Sequence, residues 1–450
     1  MRETLDIPLM RSVRLFGLAG RLAVAAVALV LALPIHAETA AEWSQFRGPD
    51  RDGQAPMLQV PSPWPDAPTE LWKVEIGMGH ASPVVSDGRI YIMTRRLQDE
   101  VAMALDLKDG STVWEKTYPT QYMPHQAAVK FGRGPRATPV VAEGVVCFTG
   151  VDARFTCHDA KDGKELWQRD FSESSDIAET FCGASLTPLI ENGVIYMHLG
   201  DDRAGRLFAA DLRTGEEIWA YDGQGPGYAS PLMLDIDGTR QLIVFATIDL
   251  LGFDPADGRL LWKRPYLDKW RENIPTPLVV GKRIVIADYV NGTLSLWPKK
   301  TDKGWRVEDH WQNKELTQRM SSPVTDGERI YGFSDKKKGQ LFVADPATGE
   351  VIWSDVGRGG QNAVLTLAGK WLLVSSTTGE LKVATWEKDA LNVVKTYEIA
   401  DSEVWAQPAW LTDGMLIKDL KHLTRYSWDA PAEAAPSGDK AEPAAAKNGR

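Results

Sequence analysis

Several side chains that could bind a charged or aromatic ligand recur at one fixed position of this chain. The position lies three residues before a recurring Pro, or before the residue that replaces Pro in a degenerate copy. Guanidinium groups present planar forks that suit carboxylates and phosphates, and Tyr or Trp can stack on a sugar or another ring. In chain order the residues at this position are His80, Arg136, Ser185, Tyr228, Ile274, Met320, Gln361 and Trp405.

Additional polar residues lie close to these positions. They favour a funnel for an anionic or saccharide ligand, or for an acidic peptide. Alternatively, the Arg residues pair with Asp and Glu of neighbouring loops, although exposed pairs worth roughly 0–1 kcal/mol would not explain the clustering. The candidate ligand-binding residues are His80, Arg133, Arg136, Tyr228, Arg271, Asn273, Arg319, Arg358, Gln361 and Trp405.

The common catalytic and metal-binding motifs are absent from the sequence. It contains no G-x-S-x-G, no H-E-x-x-H and no phosphate-binding loop. It also lacks C-x-x-C, so neither a zinc knuckle nor attached c-type haem is indicated. We predict no catalytic residue and no metal ligand.

Three cysteines are present, an odd number for an exported chain. Cys147 and Cys157 flank a predicted hairpin centred near Asp152. They could form a bridge across that hairpin or remain buried small side chains, and the sequence leaves both open.

The first 37 residues have the pattern of a secretory signal peptide. Four arginines precede or begin the apolar run Leu22–Leu33, which is shorter than the about 20 residues that a membrane span needs. Ala37 offers a cleavage site before Glu38, with no lipid-attachment Cys there. We therefore predict a periplasmic or secreted monomer with no stable membrane insertion after cleavage, an uncleaved anchor being the alternative.

The amino-acid composition limits the possible partners and the fold class. The formal net charge of −10 argues against nucleic acid as a partner, because binding phosphates needs a basic footprint. Pro and Gly punctuate the chain regularly, and no long amphipathic helical pattern occurs between Trp43 and Trp428. An all-β chain of many short strands is indicated. Residues 429–450, rich in Ala, Pro, Glu and Lys, are predicted to be a disordered tail.

One pattern repeats along the chain and predicts the architecture. Each copy has a small residue and Pro, two apolar runs separated by a turn, a strand ending in Asp, a Gly-containing turn and a Trp. Two copies are degenerate: the one ending at Trp311 lacks the Asp turn, and the one between Asn362 and Glu398 lacks the Pro and the Trp. An eighth copy begins at Gln407 and stops at Trp428 without its last strand.

The segment Glu70–Ile76 can supply that missing strand, with Trp72 in the Trp position. Pairing it with the C-terminal strands would close a ring and remove the open edges of the sheets. We predict an eight-bladed β-propeller of four-stranded antiparallel blades over residues 70–428. Residues 38–69 are predicted to be an N-terminal strap before it, and two aromatic residues and an Arg among turn residues in Trp43–Gly53 indicate that the strap is ordered.

The repeated Asp and Trp residues are interpreted as architectural. The Asp side chain can accept hydrogen bonds from the turn, Gly supplies a positive φ, and Trp can pack on the next blade. These residues are Asp106, Asp159, Asp211, Asp254 and Asp345, with Trp72, Trp114, Trp167, Trp219, Trp262 and Trp353.

The motif, seen best in Ala209–Trp219 and Ala344–Trp353, resembles the tryptophan-docking motif of pyrroloquinoline quinone (PQQ) dehydrogenase propellers and their non-enzymatic relatives. The resemblance covers essentially Glu70 to Trp428, and the segment Trp43–Gly53 looks like one that often precedes such propellers in exported proteins. The resemblance implies the fold, but one propeller scaffold hosts many unrelated activities.

Dehydrogenases of this kind carry an adjacent Cys pair over the quinone, and a Glu, an Asn and an Asp that hold Ca²⁺. This sequence has no adjacent Cys pair and no recognisable acid cluster, so PQQ with Ca²⁺ is not the expected cofactor. The periplasmic scaffold lipoprotein of outer-membrane protein assembly is a second relative, from which this chain departs by lacking the lipid-attachment Cys. We predict an exported PQQ-like propeller that binds or scaffolds a protein partner or an anionic or saccharide ligand. The alternatives are a PQQ-dependent alcohol or sugar oxidoreductase and a polysaccharide-binding or polysaccharide-active protein.

Overall fold

The computed structural model describes residues 43–172, 180–267 and 269–429. The predicted signal peptide, and the predicted tail apart from its first residue, lie outside these ranges. Within them the chain forms eight four-stranded antiparallel sheets arranged as the blades of a ring, which confirms the predicted propeller. The helical elements of the described residues are two short 3₁₀ segments, Gln126–Phe131 and Lys336–Lys338, and no described helix is long and apolar enough to cross a membrane.

The first four blades follow the chain in order, four consecutive strands to each. Their strands are β2 (Val84–Ser86), β3 (Arg89–Arg96), β4 (Asp99–Asp106) and β5 (Thr112–Pro119); β6 (Val140–Ala142), β7 (Val145–Thr149), β8 (Arg154–Asp159) and β9 (Glu165–Asp170); β10 (Leu189–Glu191), β11 (Val194–Gly200), β12 (Gly205–Asp211) and β13 (Glu217–Gly223); and β14 (Leu232–Ile236), β15 (Thr239–Phe245), β16 (Asp249–Phe253) and β17 (Leu260–Pro265).

Blades 5 to 7 continue this order, and blade 8 combines the two ends of the propeller. Their strands are β18 (Leu278–Val280), β19 (Arg283–Asp288), β20 (Gly292–Thr301) and β21 (Gly304–Asn313); β22 (Val324–Thr325), β23 (Ile330–Ser334), β24 (Gln340–Ala344) and β25 (Val351–Ser354); β26 (Ala363–Ala368), β27 (Trp371–Ser376), β28 (Glu380–Glu387) and β29 (Ala390–Glu398); and β30 (Ala409–Leu411), β31 (Gly414–Lys418), β32 (His422–Ser427) and β1 (Thr69–Glu75).

Ring closure takes place as the sequence predicted. Strand β1 pairs antiparallel with β32, from Thr69 opposite Ser427 to Glu75 opposite His422. The strand begins and ends one residue earlier than the predicted Glu70–Ile76. This pairing satisfies an edge that would otherwise present free N–H and C=O groups.

Turns alternate between two faces of the ring because consecutive strands of a blade are antiparallel. The face with the connections between blades, and the turns between second and third strands, is here called the upper face. The lower face carries the turns between first and second strands and between third and fourth strands.

Five lower-face turns begin with the repeated Asp. Its Oδ1 accepts the main-chain N–H two residues later at 2.6–3.2 Å. The indole N–H of a Trp in the preceding blade donates to the carbonyl of the residue after that Asp, at 2.8–3.1 Å. The Trp and carbonyl pairs are Trp72 with Leu107, Trp114 with Ala160, Trp167 with Leu212, Trp219 with Pro255, and Trp311 with Pro346.

The turn glycine allows the indole to lie against the turn. Gly215, for example, has φ of +70°, and a Cβ there would lie 2.5 Å from the Trp167 ring. Glycine is therefore required both by the backbone and by the Trp of the preceding blade.

Trp262 and Trp353 do not make this bond to the next blade. Trp262 donates instead to Gln241 Oε1 in its own blade at 2.6 Å, and Trp353 packs against a core shared by blades 6 and 7. The reason is that the receiving blades, 5 and 7, have no Asp turn.

Blade 2 contains a disulfide. Cys147 and Cys157 face each other in the register of β7 and β8, and their sulfurs are bonded. Of the two possibilities that the sequence left open, the structure has the cross-strand bridge.

Candidate functional site

Seven of the eight residues three before the recurring Pro line one cavity of about 190 Å³ on the upper side of the channel. Each blade contributes from the same position of its repeat, so the side chains converge around the channel axis. These residues are His80, Arg136, Ser185, Tyr228, Ile274, Met320 and Trp405. Gln361 lies in an adjoining open groove, together with Trp405.

The N-terminal strap, residues 43–68, contributes the floor of this cavity. Phe46 and Arg47 line it. Main-chain and side-chain hydrogen bonds also join the strap to the first strands of seven blades, or to residues next to those strands. The bonded positions in those blades are Val85, Val141, Pro188, Pro231, Pro323, Leu367 and Thr412.

Two buried arginines fix the strap in the channel. Arg47 Nη2 donates to the carbonyl of Pro323 at 2.7 Å, and Arg51 donates to the carbonyls of Pro188 and Pro231. Burial lowers the pKa of Arg47 to about 10 and that of Arg51 to about 9, so both remain charged at neutral pH. The predicted ordered strap is thus a plug that closes the channel below the cavity.

A belt of hydroxyl groups surrounds the cavity at the residue before the recurring Pro. Each of four hydroxyls accepts a main-chain N–H of the preceding blade at 2.8–3.2 Å. A hydroxyl that accepts still has a proton to donate, and within the described ranges these four protons have no acceptor. The bonds run from Gln407 to Ser82, Thr138 to Thr187, Thr187 to Ser230, and Thr276 to Ser322.

Arg136 supplies positive charge at the cavity wall. Its guanidinium donates to the carbonyls of Cys182 at 2.9 Å and Gly132 at 3.0 Å, and it makes no ion pair with a described carboxylate. His80 donates from Nε2 to the carbonyl of Phe131 at 2.8 Å. Burial, and then the charge of Arg136, lower the pKa of His80 to about 4, so this imidazole is neutral at physiological pH.

Aromatic rings cover the cavity. Phe131, at the end of the 3₁₀ segment Gln126–Phe131, meets Trp405 edge-to-face at 5.1 Å and Phe181 at 6.0 Å between ring centroids. Trp405 also lies 5.9 Å from His80. This cover keeps the cavity largely apolar on its upper side, which strengthens electrostatic interactions inside it.

The adjoining groove, here called the upper groove, is open and larger, at about 790 Å³. It shares Phe131, Met320 and Trp405 with the cavity. Among the described residues, its lining has four cationic side chains against one carboxylate, Asp335, whose pKa is raised by burial. The cations are Lys130, Arg319, Lys338 and Arg358.

Ion pairing accounts for one of these cations. Arg319 lies 3.3 Å from Glu272 and stacks over the rings of Phe181 and Tyr289 at 5.7 Å. Arg358 makes no ion pair in the described part of the chain. The alternative of pairing with neighbouring acids therefore holds for Arg319 and not for Arg136 or Arg358.

Three predicted ligand-binding residues lie outside both spaces. Arg271 donates to the carbonyl of Asp202 at 2.7 Å, and Arg133 is exposed. Asn273 is fully buried and donates from Nδ2 to the carbonyl of Ala246 at 2.6 Å. They are displaced because the chain is still crossing the upper face at these positions and turns into the channel only afterwards.

Several lining residues were missed by the sequence reasoning. Phe131 and Phe181 lie on irregular connections, which carry no periodic signal. The hydroxyl belt had a signal, since the residue before the recurring Pro is Ser or Thr in six of the blades.

The cavity residues do not fit PQQ held by calcium. Calcium takes six to eight oxygen ligands, with carboxylates prominent among them. No Asp or Glu is among the described residues that line the cavity, and no group of three or more acidic, His or Cys residues in the described ranges could hold a metal ion.

Comparison with known proteins places this geometry among relatives. The chain is 26% identical over 313 residues to ADH-IIG, a quinohemoprotein alcohol dehydrogenase of Pseudomonas putida. The aligned region covers 62% of this chain and 40% of that protein. It is 25% identical over 262 residues to the outer membrane protein assembly factor BamB of Yersinia pestis, covering 58% of this chain and 60% of that protein. The chain thus spans less than two thirds of the length of either relative.

Solved structures share the fold at 14% sequence identity. BamB of Moraxella catarrhalis matches with a TM-score of 0.56, over 80% of this chain and 100% of that chain. A quinohemoprotein alcohol dehydrogenase of Comamonas testosteroni matches with a TM-score of 0.62, over 90% and 83%.

A family model described as outer membrane protein assembly factor BamB matches residues 98–355. This match covers more than half of the chain and includes all five Asp turns and four of the five docking tryptophans. The protein therefore belongs to this family of PQQ-like β-propellers.

Proposed function

We propose that this protein is an exported, monomeric binding propeller that holds an acidic segment of a protein partner in the upper groove. The observation that carries the proposal is the inversion of charge in the groove. The chain has a net charge of −10, yet the described part of the groove lining has four cations and one carboxylate. Complementary potentials steer association and select the partner, so a groove of this kind favours an acidic one.

The surroundings of the groove fit a protein partner. Trp405 and Phe131 offer aromatic anchors next to a charged rim, which is the arrangement that dominates binding energy at interfaces. Large apolar side chains are also exposed on the upper face of the propeller. Those in the described loops are Leu97, Met123, Val129, Leu267, Trp270, Tyr289, Val290 and Val356.

The cavity beneath the groove extends the proposal to the end of the bound segment. Arg136 and the four belt hydroxyls offer hydrogen-bond donors to a carboxylate that enters from the groove. Charge-assisted hydrogen bonds of this type are the stronger ones.

Two observations support export. The residues before the strap have the pattern of a signal peptide, and a disulfide such as Cys147–Cys157 persists in oxidising compartments. The relatedness to BamB proteins, named as assembly factors, supports a scaffolding role.

The groove is tested with a labelled random copolymer of Glu and Tyr, followed by fluorescence anisotropy at low ionic strength. Reversing two groove charges, Lys338→Glu with Arg358→Glu, should weaken binding about ten-fold or more, because attraction becomes repulsion. The matched control reverses two lower-face charges, Lys108→Glu with Lys161→Glu, and should bind like the wild type. Equal affinity of the groove variant and the wild type would overturn the proposal.

A PQQ-dependent oxidoreductase is the second candidate, favoured by the similarity to quinohemoprotein alcohol dehydrogenase over 62% of the chain. It is tested by incubation with PQQ and Ca²⁺, gel filtration and absorbance spectroscopy of the protein fraction. We expect no retained quinone. Retained quinone with dye-linked alcohol oxidation would establish the enzyme instead.

A further inference from the structure

Blade 5 differs from the Asp-turn blades in the length of its outer hairpin. Strands β20 and β21 have ten residues each. In blade 5 Ser295 lies opposite Trp311, and in blade 3 Ala209 lies opposite Trp219, so the two pairs hold equivalent positions. The third strand of blade 3 ends two residues after Ala209, at Asp211. In blade 5 the strand continues to Thr301, four residues farther, or about 13 Å at roughly 3.3 Å per residue.

One side of this blade 5 hairpin, residues 298–307, packs against blade 4. Lys300 donates from its main-chain N to Asp237 at 3.2 Å and from Nζ to Thr239 at 3.1 Å. Trp305 and Val307 pack against the core that blades 4 and 5 share. This side takes over the contact between blades that an Asp turn and Trp262 would have made.

The other side of the hairpin faces outward and is cationic. Lys299 lies directly opposite Arg306 in the strand register. Like charges in that arrangement are destabilising, so folding alone does not favour the pair. Arg306 has 74% of its side chain exposed, and its nearest carboxylate, Glu308, lies 3.7 Å away.

An aromatic ring stands beside these cations. The Nζ atoms of Lys299 and Lys282 lie 5.1 and 5.5 Å from the centroid of the Trp297 ring. Cation–π contacts of this kind hold both ammonium groups near one ring. Lys282 Nζ also lies 3.6 Å from the Asp237 carboxylate, whereas Lys299 makes no ion pair in the described part of the chain. The outward side thus combines the opposed cations Lys299 and Arg306 with an aromatic ring.

The corresponding hairpin of blade 7 shows that the basic charge is not needed for the architecture. Its turn and flanking residue, Glu387, Lys388 and Asp389, are of mixed charge. In the ten residues of the blade 5 hairpin there are four cations and one carboxylate, although the chain as a whole is acidic. The cations are Lys299, Lys300, Lys303 and Arg306.

We propose that the outward side of the blade 5 hairpin binds an anionic polysaccharide. Carboxylates of the polymer pair with Lys299 and Arg306, and a sugar ring lies against Trp297. A membrane surface is the less suitable occupant, because the tip Thr301–Gly304 has no apolar side chain to enter lipid and Trp305 faces blade 4. This site lies on the lower face and is independent of the upper groove.

The test uses affinity electrophoresis in gels that contain polygalacturonate, with neutral dextran of matched length as the reference polymer. The wild type should be retarded by polygalacturonate and not by dextran, and added salt should weaken the effect. The double variant Lys299→Glu with Arg306→Glu should lose about ten-fold or more in affinity. The control Lys108→Glu with Lys161→Glu changes two charges on the same face and should migrate like the wild type.

The single variant Lys299→Glu separates binding from folding. It replaces two opposed cations by a cross-strand ion pair, so the midpoint temperature of unfolding should rise while retardation decreases. Unchanged retardation of the double variant, equal retardation by dextran, or tighter binding to phosphatidylglycerol vesicles than to polygalacturonate would each overturn the proposal. None of these outcomes bears on the upper groove, which the Glu–Tyr copolymer tests separately.

Discussion

The two faces of the propeller differ in how much they repeat. The lower face carries the same Asp turn in five blades, each bonded to a Trp of the blade before it. The upper face has connections of different length and composition, and the eight blades have eight different residue types at the position three before the recurring Pro. The large apolar side chains exposed in described turns and connections lie on the upper face. Stability concentrated on one face leaves the other free to specialise for binding.

Among the substitutions considered, those in the strap that closes the channel between the two faces should lower the free energy of unfolding most. Replacing Arg51 by Met leaves the carbonyls of Pro188 and Pro231 without their donor, and we expect a loss of about 3–5 kcal/mol in the free energy of unfolding. Urea denaturation measures this loss. Arg51→Lys retains the charge and one donor position, so it should lose clearly less. Equal stability of Arg51→Met and wild type would mean that the strap does not hold the ring together.

The next effect tests whether the lower face is stabilised by Trp docking or by turn geometry alone. Gly215→Ala puts a methyl group against Trp167 at positive φ and should cost about 3 kcal/mol. Gly238→Ala has nearly the same φ, +72°, with nothing within 4 Å, so it should cost only about 1 kcal/mol. The difference between the two urea midpoints isolates the collision with the ring. Equal midpoints would remove docking as the source of lower-face stability.

An upper-face carboxyl should show a characteristic pH dependence. Glu100 is buried beside Asp152, and burial raises its pKa to about 8 from an ordinary value of 4.5. The folded protein therefore holds a proton that the unfolded chain releases, and stability falls as pH rises through this window. Between about pH 5 and pH 8 the wild type should lose on the order of 2 kcal/mol relative to Glu100→Gln. Parallel pH profiles of the two proteins would contradict this.

A lower-face carboxylate should behave in the opposite sense and more weakly. Hydrogen bonds from the main-chain N–H and the hydroxyl of Thr214 lower the pKa of Asp211 below its ordinary 3.8. Its contribution is present above that pH and is lost as pH falls through the lowered value. Asp211→Asn should therefore be slightly less stable than wild type at neutral pH and equal to it in acid. Thermal melts at several pH values compare the two, and a gap that widens in acid would refute the assignment.

Much of the fold could be predicted from the sequence because the repeat is local. An Asp, a Gly and a Trp at fixed spacing report the same turn wherever they occur, and Trp72 revealed the strand that closes the ring. The position three before the recurring Pro likewise predicted seven cavity residues, since register carries from blade to blade.

The remainder depends on contacts that residue types do not signal. Arg51 bonds to main-chain carbonyls, which every residue offers, so nothing in the sequence pointed to Pro188 or Pro231 as its partners. Asn273 looked like a ligand-binding residue because it neighbours Ile274, but its side chain supports the connection itself. The missing Asp turn identifies the blade 5 copy in the sequence, whereas the length of its hairpin is evident only from the strand register of the structure.

The ring closure between β1 and β32 has a consequence for the order of folding. The two strands that meet in blade 8 are separated by almost the whole propeller sequence, and loop closure over such a distance is slow to form. The strap needs seven blades as partners, so the first part of the propeller to leave the ribosome is among the last to be buried. Until the C-terminal strand arrives, the β1 edge and the apolar strap residues are open to wrong pairing. Chains cut short before β32 should consequently aggregate rather than survive as seven-bladed rings.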